Sequence, residues 1–262
     1  MEAITSADGT QIAYERRGDG PPLVLVHGAT ADHTTWDQAI PFLEEQFTVF
    51  AMDRRGRGES GDAEDYALER EVEDVRSVVA SVSEPVHLLG HSFGGLVTLE
   101  AALRTEPLRG LVVYEGFPYV AEPAEEKQAL PKIRTAIDEG HRDEALVTFY
   151  REIGHLSPEE IEFIQSQPTW QQRVDAVHTG LREVELGYDY NFEPDRFREL
   201  TTPTLLLVGE DSPATEQQAA ERLCDVLPDC RIATLENQQH VAHRMAPERF
   251  TEVVSAFLTE TP

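Results

Sequence analysis

The expected fold is decided by the stretch VHLLGHSFGG, residues 86–95. Its first four residues form a largely apolar run that ends at Gly90, and a helical pattern continues from Phe93 to Arg104. Short apolar runs bounded by glycine are typical of buried strands. Gly90 and Gly94 leave room where a Cβ atom would clash with the neighbouring strand and helix, so the turn around Ser92 can be sharp and strained. The stretch therefore predicts a strand, a tight turn carrying Ser92, and a helix.

Similar apolar runs alternate with helical patterns on both sides of this stretch. The predicted strands are Gln11–Arg17, Leu23–Val26, Thr48–Met52, Val86–Leu89, Leu108–Tyr114, Thr204–Gly209 and Arg231–Leu235. The predicted helices of this part are Thr35–Gln46, Leu68–Ser83, Phe93–Arg104, Thr215–Leu227 and Pro247–Leu258. Runs that are apolar on both faces belong in a sheet covered on both sides. We therefore expect an α/β fold with a mainly parallel central sheet flanked by helices.

The alternation stops between about residues 117 and 200, where the chain reads as helical throughout. The segments expected there are Lys127–Glu139, Arg142–Ile153, Pro158–Gln165 and Thr169–Glu185. Open α/β sheets bind ligands at the carboxyl ends of their strands. We interpret 117–200 as a helical lid over those ends, inserted into a core formed by 1–116 and 201–262.

The charge balance is strongly acidic: 49 Asp plus Glu residues against 22 Lys plus Arg give a net charge of −27. A chain this acidic repels phosphate backbones and anionic lipid headgroups, so we expect neither nucleic acid nor membrane partners. Only Lys127 and Lys132 are lysines. The composition resembles that of proteins from halophilic, salt-accumulating microbes, whose carboxylate-rich surfaces stay hydrated in concentrated salt. An acidic mesophilic protein with an Arg-rich codon bias is the alternative.

The sequence also bears on location and redox state. It has no apolar run of about 18 residues and no secretory signal pattern at its start, which favours a cytoplasmic protein. Cys224 and Cys230 are the two cysteines, with five residues between them. They could pair only if a local turn brought their Cα atoms close, so we expect two reduced, partly buried thiols.

The pattern Gly90-x-Ser92-x-Gly94, placed between a strand and a helix, has the context of a nucleophile elbow. A serine hydroxyl needs a base and an orienting acid, which follow it in the chain order Ser, Asp or Glu, His. Asp211 comes just after the strand Thr204–Gly209 and is the preferred acid. His240 follows the next strand and is favoured as the base over His243, which is expected to be a surface or packing residue.

Two backbone amides are candidates for an oxyanion hole. The Gly-containing loop after the strand Leu23–Val26 could point the N–H of Ala29 at a developing oxyanion, and Phe93, directly after the serine, would supply the second donor. His27 is expected to hydrogen-bond the backbone of this loop.

Taken together, the motifs resemble those of the α/β-hydrolase superfamily over nearly the whole chain. They are His27-Gly28, Asp53-x-x-Gly56-x-Gly58-x-Ser60, Gly90-x-Ser92-x-Gly94-Gly95, Asp211, and His240 with Pro247 seven residues on. The resemblance implies a triad of Ser92, Asp211 and His240 with oxyanion donors Ala29 and Phe93. The acid departs from a common spacing, because Asp211 is two residues after Gly209. Glu115, just past the strand Leu108–Tyr114, is the alternative acid.

The resemblance also bears on chemistry. A serine in the elbow argues against relatives of epoxide hydrolases and haloalkane dehalogenases, which use a carboxylate there. We expect a serine esterase-like enzyme that acts on a small acyl substrate without cofactor or metal. The alternatives are a carbon–carbon hydrolase, perhydrolase or lyase of the same fold, or a non-catalytic receptor for a small ligand.

Several aromatic residues are expected where the elbow, strand ends and lid converge. The candidates for the substrate pocket are Trp36, Phe117, Tyr119, Phe149 and Trp170. The three arginines of 54–57 could suggest an anion site. The resemblance instead implies that this Gly-rich loop is structural.

Overall fold

A single sheet organises the chain in the computed structural model, which describes residues 1–105, 107–119 and 123–261. The strands are β1 (Glu2–Thr5), β2 (Gln11–Arg17), β3 (Pro22–Val26), β4 (Thr48–Met52), β5 (Val86–His91), β6 (Leu108–Tyr114), β7 (Thr204–Gly209) and β8 (Cys230–Leu235). Within the described ranges they form one eight-stranded sheet of order β1-β2-β4-β3-β5-β6-β7-β8. β2 pairs antiparallel with both β1 and β4, and the pairs from β4 through β3, β5, β6 and β7 to β8 are all parallel. The predicted mainly parallel α/β sheet is confirmed.

Helices cover this sheet and fill the segment between β6 and β7. They are α1 (Ile40–Leu43), α2 (Leu68–Ser81), α3 (Phe93–Ala102), α4 (Ala124–Asp138), α5 (Arg142–Glu152), α6 (Pro158–Gln165), α7 (Trp170–Asp189), α8 (Pro194–Phe197), α9 (Ala214–Cys224), α10 (Ala242–Met245) and α11 (Pro247–Glu260). A short 3-10 helix, His33–Trp36, precedes α1. Among these described helices, none combines the length and the apolar character needed to cross a membrane.

The continuous apolar runs bury side chains on both faces of the sheet. In β3, Val24 and Val26 join the core beneath α2, α3 and α9, whereas Leu23 and Leu25 join the core beneath α1 and α11. Successive strand residues point to opposite faces, so a strand covered on both sides is apolar at every position. The carboxyl ends of the parallel strands therefore meet at one edge, and the loops that follow β3, β5, β6, β7 and β8 lie there together.

The helical segment after β6 has an apolar core of its own. Ile133, Leu146, Phe149 and Val177, from α4, α5 and α7, pack in one buried cluster with Val241 from the loop after β8. Residues 120–122 of the expected lid lie outside the described residues. The insertion of helices between two neighbouring strands agrees with the predicted interruption of the α/β pattern.

Two local expectations were wrong. The helix expected at Thr35–Gln46 is two short helices, because Asp32 caps the 3-10 helix through the N–H of Thr34 and Pro41 starts a new turn in α1. The cysteines are joined by a disulfide, Cys224–Cys230, rather than left as free thiols. The end of α9 turns directly into β8 and brings the two Cα atoms to 5.4 Å, within disulfide range.

Candidate active site

Ser92 lies at the apex of the turn between β5 and α3. Its backbone has φ 54° and ψ −129°, a conformation rare for a residue with a side chain. A Cβ atom on Gly90 would clash with the backbone oxygen of Gly94, and one on Gly94 would clash with the carbonyl oxygen of His27. The N–H of Ser92 donates to the carbonyl oxygen of Tyr114 at 2.9 Å. The two glycines and this bond hold the strained turn that the sequence predicted.

His240 follows β8 and is fixed through both its ring and its backbone. Its Nδ1–H donates to Glu115 Oε2 at 2.8 Å, and its carbonyl oxygen accepts from His91 Nε2 at 2.8 Å. This arrangement leaves Nε2 of His240 as the ring nitrogen that can accept a proton. His240 and Ser92 line the same cavity.

Glu115 is a buried carboxylate with defined partners. Besides His240, it accepts from the N–H of Gly209 at 2.7 Å and from the hydroxyl of Ser212 at 2.6 Å. It is only 5% exposed, and its backbone has φ 44° at the end of β6. The side chain is thus positioned to orient the imidazole and to stabilise it when protonated.

The preference for Asp211 as the partner of His240 needs correction. Asp211 is exposed, and its backbone is tied to the loop after β8 through Gln238 and Gln239. β6 and β7 are neighbours, so either strand end could have provided the acid. The carboxylate that the structure places on His240 Nδ1 is that of Glu115, the alternative named from the sequence.

Tyr114 supports the histidine loop in a way that no sequence motif indicated. Its buried hydroxyl donates to the carbonyl oxygen of Gln239 and accepts from the N–H of Ala242 at 3.0 Å. These bonds hold both flanks of His240. The only sign of this role in the sequence is that a tyrosine stands at the end of a buried strand.

The pKa values of the histidines near the site are shifted in opposite directions. Burial acts to lower the pKa of His240, but the hydrogen bond and negative charge of Glu115 outweigh it, so this pKa is raised. Burial lowers the pKa of His91 and of His243, and the neighbouring histidines lower each further. His243 is fully buried, with Nε2 3.2 Å from the hydroxyl of Thr35, so it packs inside rather than at the surface.

The residues expected to provide the oxyanion donors belong to the lining of the same cavity. Ala29 and Phe93 both line it. Phe93 is the first residue of α3, where backbone N–H groups have no partner within the helix. His27 behaves as expected, because its Nδ1 lies 2.8 Å from the carbonyl oxygen of Gly28 and its Nε2 accepts from the N–H of Arg54.

The cavity has a volume of about 150 Å³ and lies between the strand ends and the helical insertion. Of the aromatic residues expected there, Phe117, Tyr119 and Phe149 line it. Trp36 and Trp170 do not, which corrects their assignment. Trp36 is fully buried in the core beside His243 and Phe250, and Trp170 packs against Tyr150 while its indole N–H donates to Asp143.

Glu216, on α9, is a second carboxyl group of the cavity that was not singled out from the sequence. Burial and the negative charge of Glu115 raise the pKa of Glu216 to about 8. Near neutral pH its carboxyl group is therefore mostly protonated and can donate a hydrogen bond.

The three arginines of the loop after β4 are structural, as the resemblance implied. Arg54 and Arg57 both pair with Glu183 of α7, and Arg55 pairs with Asp74. Because buried carboxylates already pair with all three, we assign no anion site to this loop.

One cluster in the described part of the chain has the donor types of a metal site. The ligand atoms of Asp32, His33 and Asp53 lie within 4.8 Å of one another. However, Asp53 Oδ1 already accepts from the backbone and ring N–H groups of His33, and Oδ2 accepts from the N–H of Glu59. These bonds join loops, and we assign no metal site to them.

Comparison with known proteins agrees with this architecture. A model described as "Alpha/beta hydrolase family" matches residues 23–253. The chain is 26% identical to the (E)-2-((N-methylformamido)methylene)succinate hydrolase of Acinetobacter baylyi, over 95% of this chain and 94% of that protein. It is 26% identical to the pimeloyl-[acyl-carrier protein] methyl ester esterase of Aeromonas hydrophila, over 94% of this chain and 99% of that protein.

Solved structures extend the likeness to three dimensions. The crystal structure of an alpha/beta hydrolase from Sphaerobacter thermophilus superposes with a TM-score of 0.84 at 32% identity, covering 98% of this chain and 99% of that one. The sheet order, the turn at Ser92 and the extent of the family match lead to one conclusion. The chain belongs to the alpha/beta hydrolase family and is a hydrolase of the α/β fold.

Proposed function

We propose that the chain is a serine hydrolase that cleaves a carboxylic ester or a related acyl bond through an acyl-enzyme. The observation that carries this proposal is the pairing of His240 Nδ1 with the buried carboxylate of Glu115, in the cavity lined by Ser92. A base held in one tautomer, in the same cavity as a serine in a strained turn, is an arrangement suited to nucleophilic catalysis.

In the proposed reaction, Ser92 Oγ attacks the substrate carbonyl carbon while His240 Nε2 takes the hydroxyl proton. Glu115 stabilises the imidazolium that forms, and the N–H groups of Ala29 and Phe93 bind the developing oxyanion. His240 then gives the proton to the leaving alcohol, and the acyl group remains on Ser92. Water, deprotonated by His240, attacks this ester and regenerates the serine.

The relatives support acyl chemistry. The Aeromonas protein is a methyl ester esterase, and the Acinetobacter protein is a hydrolase of a substituted succinate. One further relative, 23% identical over 99% of this chain, is a 2-hydroxy-6-oxo-6-(2'-aminophenyl)hexa-2,4-dienoic acid hydrolase. Carbon–carbon cleavage is therefore the second candidate reaction. Product analysis with an ester and with a dienoate separates the two.

The test is the Ser92→Ala variant assayed with a short-chain p-nitrophenyl ester. We expect kcat/KM to fall by at least about 10³-fold with an unchanged circular dichroism spectrum, because the nucleophile is lost. A fluorophosphonate probe should label the wild-type protein and not the variant. Ser166→Ala, at an exposed serine of the helical insertion, is the matched control and should keep both activity and labelling. Activity retained by Ser92→Ala would refute the proposal.

A further inference from the structure

Two arginines reach the cavity from outside the motifs discussed so far. Arg173 lies on α7 and Arg244 on α10, four residues after His240. Both line the cavity that contains Ser92 and His240, and each is 4% exposed. The proposed catalytic steps use neither of them.

The guanidinium groups lack carboxylate partners. Among the described residues, no carboxylate oxygen lies within 4.0 Å of either group. Nε and Nη2 of Arg173, and Nε and Nη1 of Arg244, are buried without any hydrogen-bond acceptor. Arg173 Nη1 reaches only the hydroxyl of Tyr150, at 3.4 Å, and Arg244 lies over the ring of Phe163. Buried polar groups in proteins are nearly always hydrogen-bonded, so these donors indicate a partner that is not part of the chain.

Elsewhere the same chain does provide partners for buried arginines. Arg54, Arg55 and Arg57 each contact a buried carboxylate at 3.0 Å or less. With 49 acidic residues available, the missing carboxylates at Arg173 and Arg244 do not reflect a shortage of acidic groups. The contrast indicates that the guanidinium groups of these two arginines are available to bind a ligand.

The electrostatics of the pair also favour an anion. Burial and the positive charge of Arg173 lower the pKa of Arg244 to about 10, so the group remains charged near neutral pH while the two cations repel each other. Buried charges without a partner are unfavourable. An anion bound between them would relieve both the repulsion and the loss of solvation. A guanidinium group binds a carboxylate in a planar, bidentate geometry, with two parallel N–H···O hydrogen bonds.

We infer that Arg173 and Arg244 bind a carboxylate carried by the substrate, so that the enzyme acts on monoesters of short dicarboxylic acids. This inference rests on the proposed acyl hydrolysis and specifies its substrate class. The size of the cavity agrees with a short acid, since a cavity of about 150 Å³ holds a molecule the size of benzene. A succinyl group is of similar size.

The test compares two methyl esters of matched shape: methyl hydrogen succinate, and methyl 4-methylpentanoate, in which an uncharged isopropyl group replaces the carboxylate. We expect wild-type kcat/KM to be about 100-fold higher for the charged ester, and Arg173→Met or Arg244→Met to abolish most of this preference. Arg249→Met, at an exposed arginine of α11, removes the same charge and should keep the preference. A wild-type preference for the uncharged ester, or unchanged preferences in both cavity variants, would overturn the inference.

Binding can be measured without turnover. In Ser92→Ala with both arginines intact, we expect succinate to raise the melting temperature and to bind in a calorimeter, and Arg173→Met to abolish both effects. Binding of inorganic phosphate but not of succinate would overturn the assignment of a carboxylate. The two proposals fail differently. If Ser92→Ala still hydrolysed the esters, the serine mechanism would be wrong, whereas loss of hydrolysis without succinate binding would reject the carboxylate site alone.

Discussion

At the residue scale, the candidate site is built on two strained positions at the ends of neighbouring strands. Ser92 after β5 and Glu115 after β6 both have positive φ values, 54° and 44°. Such conformations persist only where surrounding contacts compensate for them. Glu115 accepts three hydrogen bonds and Ser92 is held between glycines. These backbone conformations place both side chains in the lining of the cavity.

The first prediction concerns Glu115 and the pH dependence of activity. His240 acts as a base only when neutral, and its pKa is raised above the ordinary 6.5, so kcat/KM should fall as the pH drops through a value above 6.5. Glu115→Gln removes the charge that raises this pKa. We expect kcat to decrease by about 10²–10⁴-fold and the inflection to move to lower pH.

Asp211→Asn is the matched control for this experiment. Asp211 is exposed, and the carboxylate paired with His240 is that of Glu115, so Asp211→Asn should keep both the wild-type rate and the wild-type inflection. If Asp211→Asn were inactive while Glu115→Gln retained its activity, the assignment of the acid would be wrong.

The second prediction concerns Glu216 and the free energy of unfolding. Its pKa rises from 4.5 to about 8 on folding, so between these pH values Glu216 is protonated in the folded state and ionised in the unfolded state. The free energy of unfolding therefore falls as the pH rises, and the stabilisation by the protonated carboxyl group is lost as the pH passes through 8. Glu216→Gln should remove this decline in stability with pH and make the protein about 1–3 kcal/mol more stable than wild type at pH 9. The effect is smaller than the full pKa shift implies, because the carboxyl group is partly exposed to solvent.

Urea denaturation at pH 5, 7 and 9 measures this effect of Glu216→Gln. Glu221→Gln, at an exposed position of the same helix, should leave the pH dependence of stability unchanged. Identical pH profiles of stability for wild type and Glu216→Gln would show that folding does not raise the pKa of Glu216.

At the element scale, α7 is joined to the sheet by a buried ion network. Glu183 of α7 lies 3.0 Å from Arg54 and 2.5 Å from Arg57, both in the loop after β4, and is fully buried. Burial acts to raise the pKa of Glu183, but the two arginines outweigh it, so this pKa is lowered. The network connects the helical insertion to the core next to the cavity.

The third prediction is that Glu183→Ala destabilises the protein by about 3–5 kcal/mol, because buried arginine charge is left uncompensated. The stabilisation from Glu183 is present above pH 4.5 and is lost as the pH falls through the lowered pKa, so the effect should shrink in acid. Glu185→Ala breaks the exposed pair with Arg134 on the same helix and should change stability by less than about 1 kcal/mol. Equal effects of the two variants in chemical denaturation would contradict the assigned role of the network.

At the scale of the whole molecule, a net charge of −27 makes carboxylate repulsion a general property of the surface. Added salt screens such repulsion, since the screening length falls from about 10 Å at 0.1 M to about 3 Å at 1 M. The fourth prediction is that the thermal midpoint rises between dilute buffer and molar potassium chloride. Differential scanning calorimetry measures it. A constant or falling midpoint would reject adaptation to salt.

The order of elements could be predicted from the sequence because its signals are local. The spans Thr48–Met52, Leu108–Tyr114 and Pro158–Gln165 were predicted with the bounds that the structure has. Apolar periodicity, glycine and proline act within a few residues of themselves. The turn at Ser92 could be predicted in the same way, because the glycines two positions away on either side are a local signal for it.

The tertiary structure alone decided how distant residues pair. Glu115 and Asp211 both follow strands that end at the same edge, and only the pairing of β6 with β7 and of β7 with β8 determines which carboxylate reaches His240. Arg173 and Arg244 come from separate helices, and that they lack carboxylate partners could not be known before every neighbour was placed. Local sequence thus determined the strands, the helices and the turn, because their interactions span a few residues. The acid and the cavity depended on contacts between segments far apart in the chain, whose relative positions only the packed core defines.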